Sequence, residues 1–110
     1  MTNLTQKSCK PCEGGVPPLG KEEIQTLLKQ IPAWKVDSTG VRSIERLFEF
    51  KNHYHTMAFV NAVAFISHKE NHHPDLEVGY NKCLVRYRTH AINGLSENDF
   101  ICAAKVDVLL

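Results

Sequence analysis

A long apolar helix near the middle of the chain constrains the fold more than any other sequence feature. Asn52 is suited to the N-cap, the helix should run roughly over residues 53–71, and Pro74 requires it to stop nearby. Apolar side chains surround it on nearly every side over residues 58–66. Such a helix has to be covered on more than its sheet-facing side.

Predicted β-strands flank this helix in pairs. Residues 34–37 and 41–50 form one pair around a Ser-Thr-Gly turn, and residues 76–80 and 83–90 form a tight hairpin. Helical periodicity predicts two further helices, over residues 21–30 and 96–110. The order helix, strand, strand, helix, strand, strand, helix predicts an α+β fold. We expect a four-stranded antiparallel sheet with helices packed on one face.

Length and charge limit the function classes. A chain of 110 residues with 43% hydrophobic and 23% charged residues is suited to one globular domain, predicted over residues 21–110 after a polar, Pro/Gly-rich arm over residues 1–20. The formal charge of +1 leaves no basic surface for nucleic acid. The apolar stretch over residues 57–66 is too short to span a bilayer, and the polar start lacks a secretory signal. A cytoplasmic location is therefore expected, with no nucleic-acid or membrane partner.

The four cysteines leave a minor alternative open. Cys9-x-x-Cys12 has the spacing of a zinc or redox motif, but Cys83 and Cys102 are too far apart in sequence to supply a matching pair. Reduced thiols, or an ordered N-terminal arm, are the simpler interpretation.

Self-association is also expected. The all-round apolar helix and the two open edges of a four-stranded sheet both favour a homodimer or homotetramer, through helix packing, edge pairing or both. Burial of the helix by the other two helices of the same chain is the alternative.

Histidines concentrate where chemistry is expected. Of six histidines, His68, His72 and His73 fall within seven residues at the end of the long helix, and His90 ends a predicted strand on its polar face. Neighbouring imidazoles can hold one protonated and one neutral member at neutral pH, which is suited to an elimination of water. A zinc site, or histidines that only cap the helix C-terminus, are the alternatives.

The spacing of these residues resembles a known family. The run His68-x-x-x-His72-His73-Pro74, followed by Tyr80, His90 and Asp99, resembles the signature of the pterin-4a-carbinolamine dehydratases over roughly residues 20–107. The resemblance implies dehydration of 4a-hydroxytetrahydrobiopterin to quinonoid dihydrobiopterin. It also implies a pterin substrate, no metal or other cofactor, and a functional link to an aromatic amino acid hydroxylase.

The resemblance also assigns roles to residues. His72 and His90 would act as general acids toward the 4a-hydroxyl of the two stereoisomers, and His73 would mainly bind and orient the pterin, with a part in removal of the N5 proton. Supporting roles fall to His68 and to Asp99, which could assist His90 at one remove or only cap the last helix through Ser96-x-x-Asp99. The expected substrate-contact positions are Asn71, Arg88, Thr89 and Ala91.

Two other functions fit the same fold. Animal members of the family also serve as a dimerisation cofactor for a homeodomain transcription factor, a binding role that needs no histidine cluster. A related protein could instead act on a pterin of molybdenum cofactor metabolism, and an activity test would distinguish that role from the dehydration of 4a-hydroxytetrahydrobiopterin.

Overall fold

The computed structural model describes residues 3–10 and 17–110. Helical turns occupy Leu4–Gln6 and His90–Ile92. The helices are α1 (Lys21–Leu28), α2 (His53–Glu70) and α3 (Glu97–Asp107), and the strands are β1 (Lys35–Asp37), β2 (Ser43–Glu49), β3 (Asp75–Val78) and β4 (Lys82–Tyr87). The predicted order and the α+β class are confirmed.

The four strands form one antiparallel sheet in the order β1-β2-β4-β3. β1–β2 and β3–β4 are the two predicted hairpins. β2 and β4 join them at the centre, where Ile44 lies opposite Tyr87 and Phe48 lies opposite Cys83. The carboxyl end of β4 and the chain that follows it are thereby placed in the middle of the sheet.

The core lies on one face of the sheet. Ile44, Phe48, Val85 and Tyr87 are buried there, together with Phe59 and Val63 of α2 and most of α3. The alternate residues of β2 and β4 point to the other face, where Leu47 is half exposed. The helices therefore cover one face only, as the order of the elements predicts.

Helix α2 begins and ends at asparagines. The Asn52 side chain accepts a hydrogen bond from the His55 backbone N–H at 2.9 Å, which confirms the predicted N-cap. Asn71 ends the helix in the left-handed conformation, with φ 52° and ψ 44°. Asparagine tolerates this region better than most residues, so the chain can turn sharply there and lead into β3.

Some predicted elements were longer than those in the structure. The second strand covers Ser43–Glu49 rather than residues 41–50, and α3 ends at Asp107 rather than at residue 110. His90 was predicted at the end of a strand but lies in a helical turn, because Thr89 pairs with Gly94 and closes a tight loop. Among the described helices, none is long and apolar enough to cross a membrane.

The described part of the N-terminal arm packs against the domain. Leu4 is 1% exposed and belongs to the main core. Lys7 forms an ion pair of 2.9 Å with Glu97 at the start of α3. Cys12, the second half of the Cys-x-x-Cys motif, lies outside the described residues.

Candidate active site

A pocket of about 590 Å³ lies where α2 ends, β4 ends and α3 begins. The end of α2 contributes its final residues and the chain leading into β3, and the loop after β4 closes another side. The lining residues are Cys9, Lys10, Lys69, Glu70, Asn71, His72, His73, Pro74, Asp75, Arg88, Thr89, His90, Ala91 and Asn98. All three histidines predicted to be catalytic, and all four predicted substrate contacts, therefore line one pocket.

His72 is the most firmly held imidazole of the pocket. Its Nε2 lies 2.7 Å from Oδ1 of Asp99, and its backbone N–H donates to the Ser67 carbonyl at 3.1 Å. The ring stacks on Tyr87 with a centroid distance of 5.8 Å and an interplanar angle of 8°. Burial raises the pKa of the Tyr87 phenol, so this ring stays neutral. Because Nε2 faces the carboxylate, Nδ1 is the nitrogen available to a ligand.

Asp99 is completely buried and joins three elements of the site. Its Oδ2 accepts hydrogen bonds from Thr89 Oγ1 at 2.8 Å and from the Ser96 backbone N–H at 3.0 Å. The second bond belongs to the predicted capping box of α3, which is present. The sequence suggested that Asp99 assists His90. In the structure its direct imidazole partner is His72, because the first turn of α3 lies behind the end of α2.

His73 and His90 are exposed in the pocket wall, in contrast to the fixed ring of His72. His73 lies next to His72 in the segment between α2 and β3, and His90 begins the helical turn after β4. Arg88 Nη2 lies 3.5 Å from a carboxylate oxygen of Asp75 across the β3–β4 pair. Three imidazoles on two different elements thus surround the same space.

His68 takes a different position from the other histidines. It lines a neighbouring, shallower cleft of about 250 Å³ with Val63, Leu76 and His73. The four-residue spacing predicted that His68 and His72 share a helix face. The helix ends before His72, at Asn71, and the left-handed turn sends the two side chains to different clefts.

Sequence reasoning missed the part of the pocket wall that comes from outside the histidine cluster. Cys9 and Lys10 of the arm, Lys69 and Glu70 of α2, and Asn98 of α3 all line the pocket. Only Lys69 and Glu70 had a sequence signal, because they stand beside the histidines. For Cys9, Lys10 and Asn98 the contact joins positions about ninety residues apart, and no local pattern indicates it.

A zinc site was the alternative interpretation of the cysteines and histidines. Within residues 3–10 and 17–110, no three His, Cys, Asp or Glu side chains are grouped to hold a metal ion. Cys9 Sγ lies 3.5 Å from Cys102 Sγ. The hydrogen bond with Cys9, together with burial, raises the pKa of the Cys102 thiol, so this thiol stays protonated.

In this α+β domain, a pocket lined by three imidazoles lies at the end of the central helix, an arrangement typical of a small-ligand site. The chain belongs to the pterin 4 alpha carbinolamine dehydratase family, whose family model matches residues 17–109. A protein of Nitrosomonas eutropha provisionally named pterin-4-alpha-carbinolamine dehydratase is 64% identical over 114 residues, covering 100% of this chain and 98% of the relative. A protein of Nitrosospira multiformis with the same provisional name is 62% identical and covers 97% of this chain and 92% of its own length.

Solved structures agree with this assignment of the fold. A transcriptional coactivator/pterin dehydratase from Brucella melitensis superposes with a TM-score of 0.79 at 28% identity, over 84% of this chain and 97% of that one. A pterin dehydratase-like protein identified as a RuBisCO assembly factor in the alpha-carboxysome superposes with a TM-score of 0.61 at 23% identity, over 70% of this chain and 88% of that one. The second likeness is one of fold alone.

Proposed function

We propose that this protein is a dehydratase that converts 4a-hydroxytetrahydrobiopterin to quinonoid dihydrobiopterin and water. The observation that carries the proposal is the bond between His72 and the buried Asp99 in a pocket that His73 and His90 also line. A carboxylate that accepts a hydrogen bond from one ring nitrogen fixes the orientation of the imidazole, and a general acid has to be held in a fixed position to reach its substrate.

The reaction needs two proton movements and no external nucleophile. A protonated imidazole gives its proton to the 4a-hydroxyl, the C4a–O bond breaks, and the oxygen leaves as water. The N5–H bond releases its proton as the electron pair of N5 forms the new double bond to C4a. We assign the first role to His72 for one stereoisomer and to His90 for the other, with His73 binding the pterin and assisting removal of the N5 proton.

The proposal extends to cofactors and cellular role. The pterin is the substrate, and the imidazoles supply acid and base, so we propose that no metal or other cofactor takes part. The quinonoid product can be reduced again for use by an aromatic amino acid hydroxylase, and pterin recycling is the proposed role. Asn71, Arg88, Thr89 and Ala91 are the proposed substrate contacts, since all four line the pocket.

The test is a dehydration assay in which each stereoisomer of the carbinolamine is generated in situ and the quinonoid dihydropterin is followed by its absorbance. Replacement of a positioned general acid loses about 10²–10⁴ in rate. We therefore expect His72→Ala and His90→Ala each to slow mainly one isomer. His73→Ala should raise KM more than it lowers kcat.

Controls make the assay specific. His55→Ala removes an exposed imidazole from the other end of α2 and should leave both rates unchanged. A chelator should also leave them unchanged, whereas loss of activity that zinc restores would indicate a metal site. Folded protein that gives no acceleration over the spontaneous reaction would contradict the dehydratase assignment, and equal loss for both isomers would contradict the division between His72 and His90.

A further inference from the structure

The N-terminal arm contributes a wall to the pocket through residues that precede the region matched by the family model. The match begins at residue 17, whereas Cys9 and Lys10 line the pocket together with the histidines. The helical turn Leu4–Gln6 packs against α3, with Leu4 buried, and brings the following residues to the pocket.

The side chain of Asn98 binds both backbone polar groups of Lys10. Its N–H donates to Asn98 Oδ1 at 3.0 Å, and Asn98 Nδ2 donates to its carbonyl oxygen at 2.6 Å. A side-chain amide offers one acceptor and two donors, so it can pair with both groups of a single residue. Asn98 is buried in the first turn of α3 and is therefore a rigid support.

A second anchor holds the preceding residue. The Cys9 N–H donates to Glu70 Oε1 at 2.8 Å, and the other oxygen of Glu70 accepts from Lys105 Nζ at 2.7 Å. Burial acts to raise the pKa of Glu70, but the Cys9 N–H and the Lys105 ammonium outweigh it, so the pKa lies below its usual value. The carboxylate is thus ionised at neutral pH, and the anchor is intact under the conditions in which the enzyme would work.

These anchors fix where Lys10 stands and leave its side chain exposed at the pocket. A lysine ammonium offers three donors and no acceptor. Pterins present acceptors at the C4 carbonyl, the ring nitrogens and a hydroxylated C6 side chain. The other cationic side chains that line the pocket are Lys69 and Arg88, and Arg88 Nη2 lies 3.5 Å from a carboxylate oxygen of Asp75.

We propose that Lys10 is a substrate-binding residue of the pterin site, supplied by the arm and positioned by Asn98. This inference rests on the proposed function for the identity of the ligand. The ammonium hydrogen-bonds to an acceptor of the pterin in both substrate and product. It therefore contributes to binding and not to the proton transfers.

The test combines kinetics with direct binding of 7,8-dihydrobiopterin by isothermal titration calorimetry. A hydrogen bond from a charged donor at a partly exposed site is worth about five- to tenfold in affinity. Lys10→Ala should weaken binding and raise KM by that factor while kcat changes less than about twofold. Lys10→Arg should recover most of the affinity. Lys29→Ala, which removes an exposed lysine outside the pocket, is the matched control.

Asn98→Ala tests whether the arm has to be held in place. If Asn98 acts by positioning Lys10, the double variant should bind dihydrobiopterin about as tightly as Asn98→Ala alone. If the two residues act independently, the losses of affinity in the two single variants should multiply in the double variant. The circular dichroism spectrum and Tm of each variant show whether the fold is kept. Should Asn98→Ala fail to fold, the Lys10 variants alone decide.

The outcomes separate this inference from the proposed function. Wild-type protein that accelerates dehydration while Lys10→Ala keeps the wild-type KM and Kd would overturn the role of Lys10 alone. Weaker dihydrobiopterin binding by Lys10→Ala, in a protein that does not accelerate dehydration, would support the role of Lys10 and contradict the dehydratase assignment. Dihydrobiopterin binding that is equal in the wild type and Lys10→Ala, or absent from both, would overturn the inference.

Discussion

The two oxygens of Asp99 serve different parts of the molecule. Oδ1 faces His72, while Oδ2 accepts from the Thr89 hydroxyl and from the Ser96 N–H at the start of α3. A buried carboxylate is costly unless it is fully hydrogen-bonded, and here three donors surround it. The arrangement links the capping of a helix to the orientation of an imidazole.

Replacing Asp99 by Asn should therefore affect catalysis and stability together. The variant keeps the shape but loses the charge, so we expect kcat to fall about tenfold or more for the isomer that His72 serves. The other isomer should keep a rate closer to wild type. Urea unfolding should show a loss of about 1–3 kcal/mol, because bonds to a charged acceptor become weaker.

Glu97→Gln is the matched control for this prediction. It neutralises an acidic residue two positions earlier in the same helix turn, where the side chain is exposed and paired only with Lys7 among the described residues. Little change in either rate is expected, because exposed ion pairs contribute little. If Asp99→Asn slowed both isomers equally, the carboxylate would be a general structural support and not the partner of His72 in particular.

At the scale of elements, the end of α2 determines the positions of His72 and His73. Asn71 adopts the left-handed conformation, its N–H bonds to carbonyls of the last helical turn, and His72 follows at once. The residue thus combines a backbone role with its proposed contact to the pterin. The two roles can be separated by substitution.

Asn71→Gly and Asn71→Ala both remove the amide but differ in backbone freedom. Glycine adopts positive φ without cost, so its stability should stay near that of the wild type, whereas alanine should lose about 1–2 kcal/mol in urea unfolding. Loss of pterin affinity common to both variants would report the side-chain contact. Affinity that follows stability instead, lost in the alanine variant alone, would show that only the turn matters.

The sequence predicted elements well where a local rule fixes them. The Asn52 side chain accepts from the His55 N–H in the first turn of α2, and strand alternation predicts that Val85 and Tyr87 share one apolar face, which the structure buries. Local rules failed for His90, because the strand pattern continues past the point where the Thr89–Gly94 bridge turns the chain. For Asp99 the local capping pattern predicted the bond with the Ser96 N–H correctly, but no local rule indicates the second partner, His72, which depends on how α3 packs on α2.

For the molecule as a whole, the arm was the least predictable part. Cys9 and Lys10 lie in a polar lead segment for which an ordered arm was one interpretation, but no pattern in it indicates where the arm would dock. The hydrogen-bond partners of Cys9 and Lys10 stand about sixty to ninety residues further along the chain, on α2 and α3. Docking of this kind depends on tertiary packing, which periodicity does not report.

The outer face of α2 bears on the predicted oligomer. Phe65 is 68% exposed and Tyr54 73%, and Met57 is also exposed, so the other helices of the same chain do not cover this face. Exposed apolar surface of this kind favours association. The homodimer or homotetramer remains a prediction, and α2 offers the surface on which to test it.

We expect sedimentation velocity at micromolar concentration to give a mass of two or four chains. Phe65→Glu should shift the protein toward the monomer, because a charge in an apolar contact is strongly unfavourable. Leu47→Glu, on the open face of the sheet, is the matched control and should leave the mass unchanged. A wild-type monomer would refute the prediction, and dissociation by Leu47→Glu alone would move the contact to the sheet.

The two hydrogen bonds between Asn98 and the Lys10 backbone have an evolutionary consequence. Asn98 holds the N–H and carbonyl of Lys10, groups that nineteen of the twenty amino acids possess and only proline partly lacks. The side chain at position 10 can therefore be exchanged without releasing the arm. If Lys10 contacts the pterin as proposed, substitution at position 10 can change ligand preference during evolution at little cost in stability, while His72, His73 and His90 stay the same.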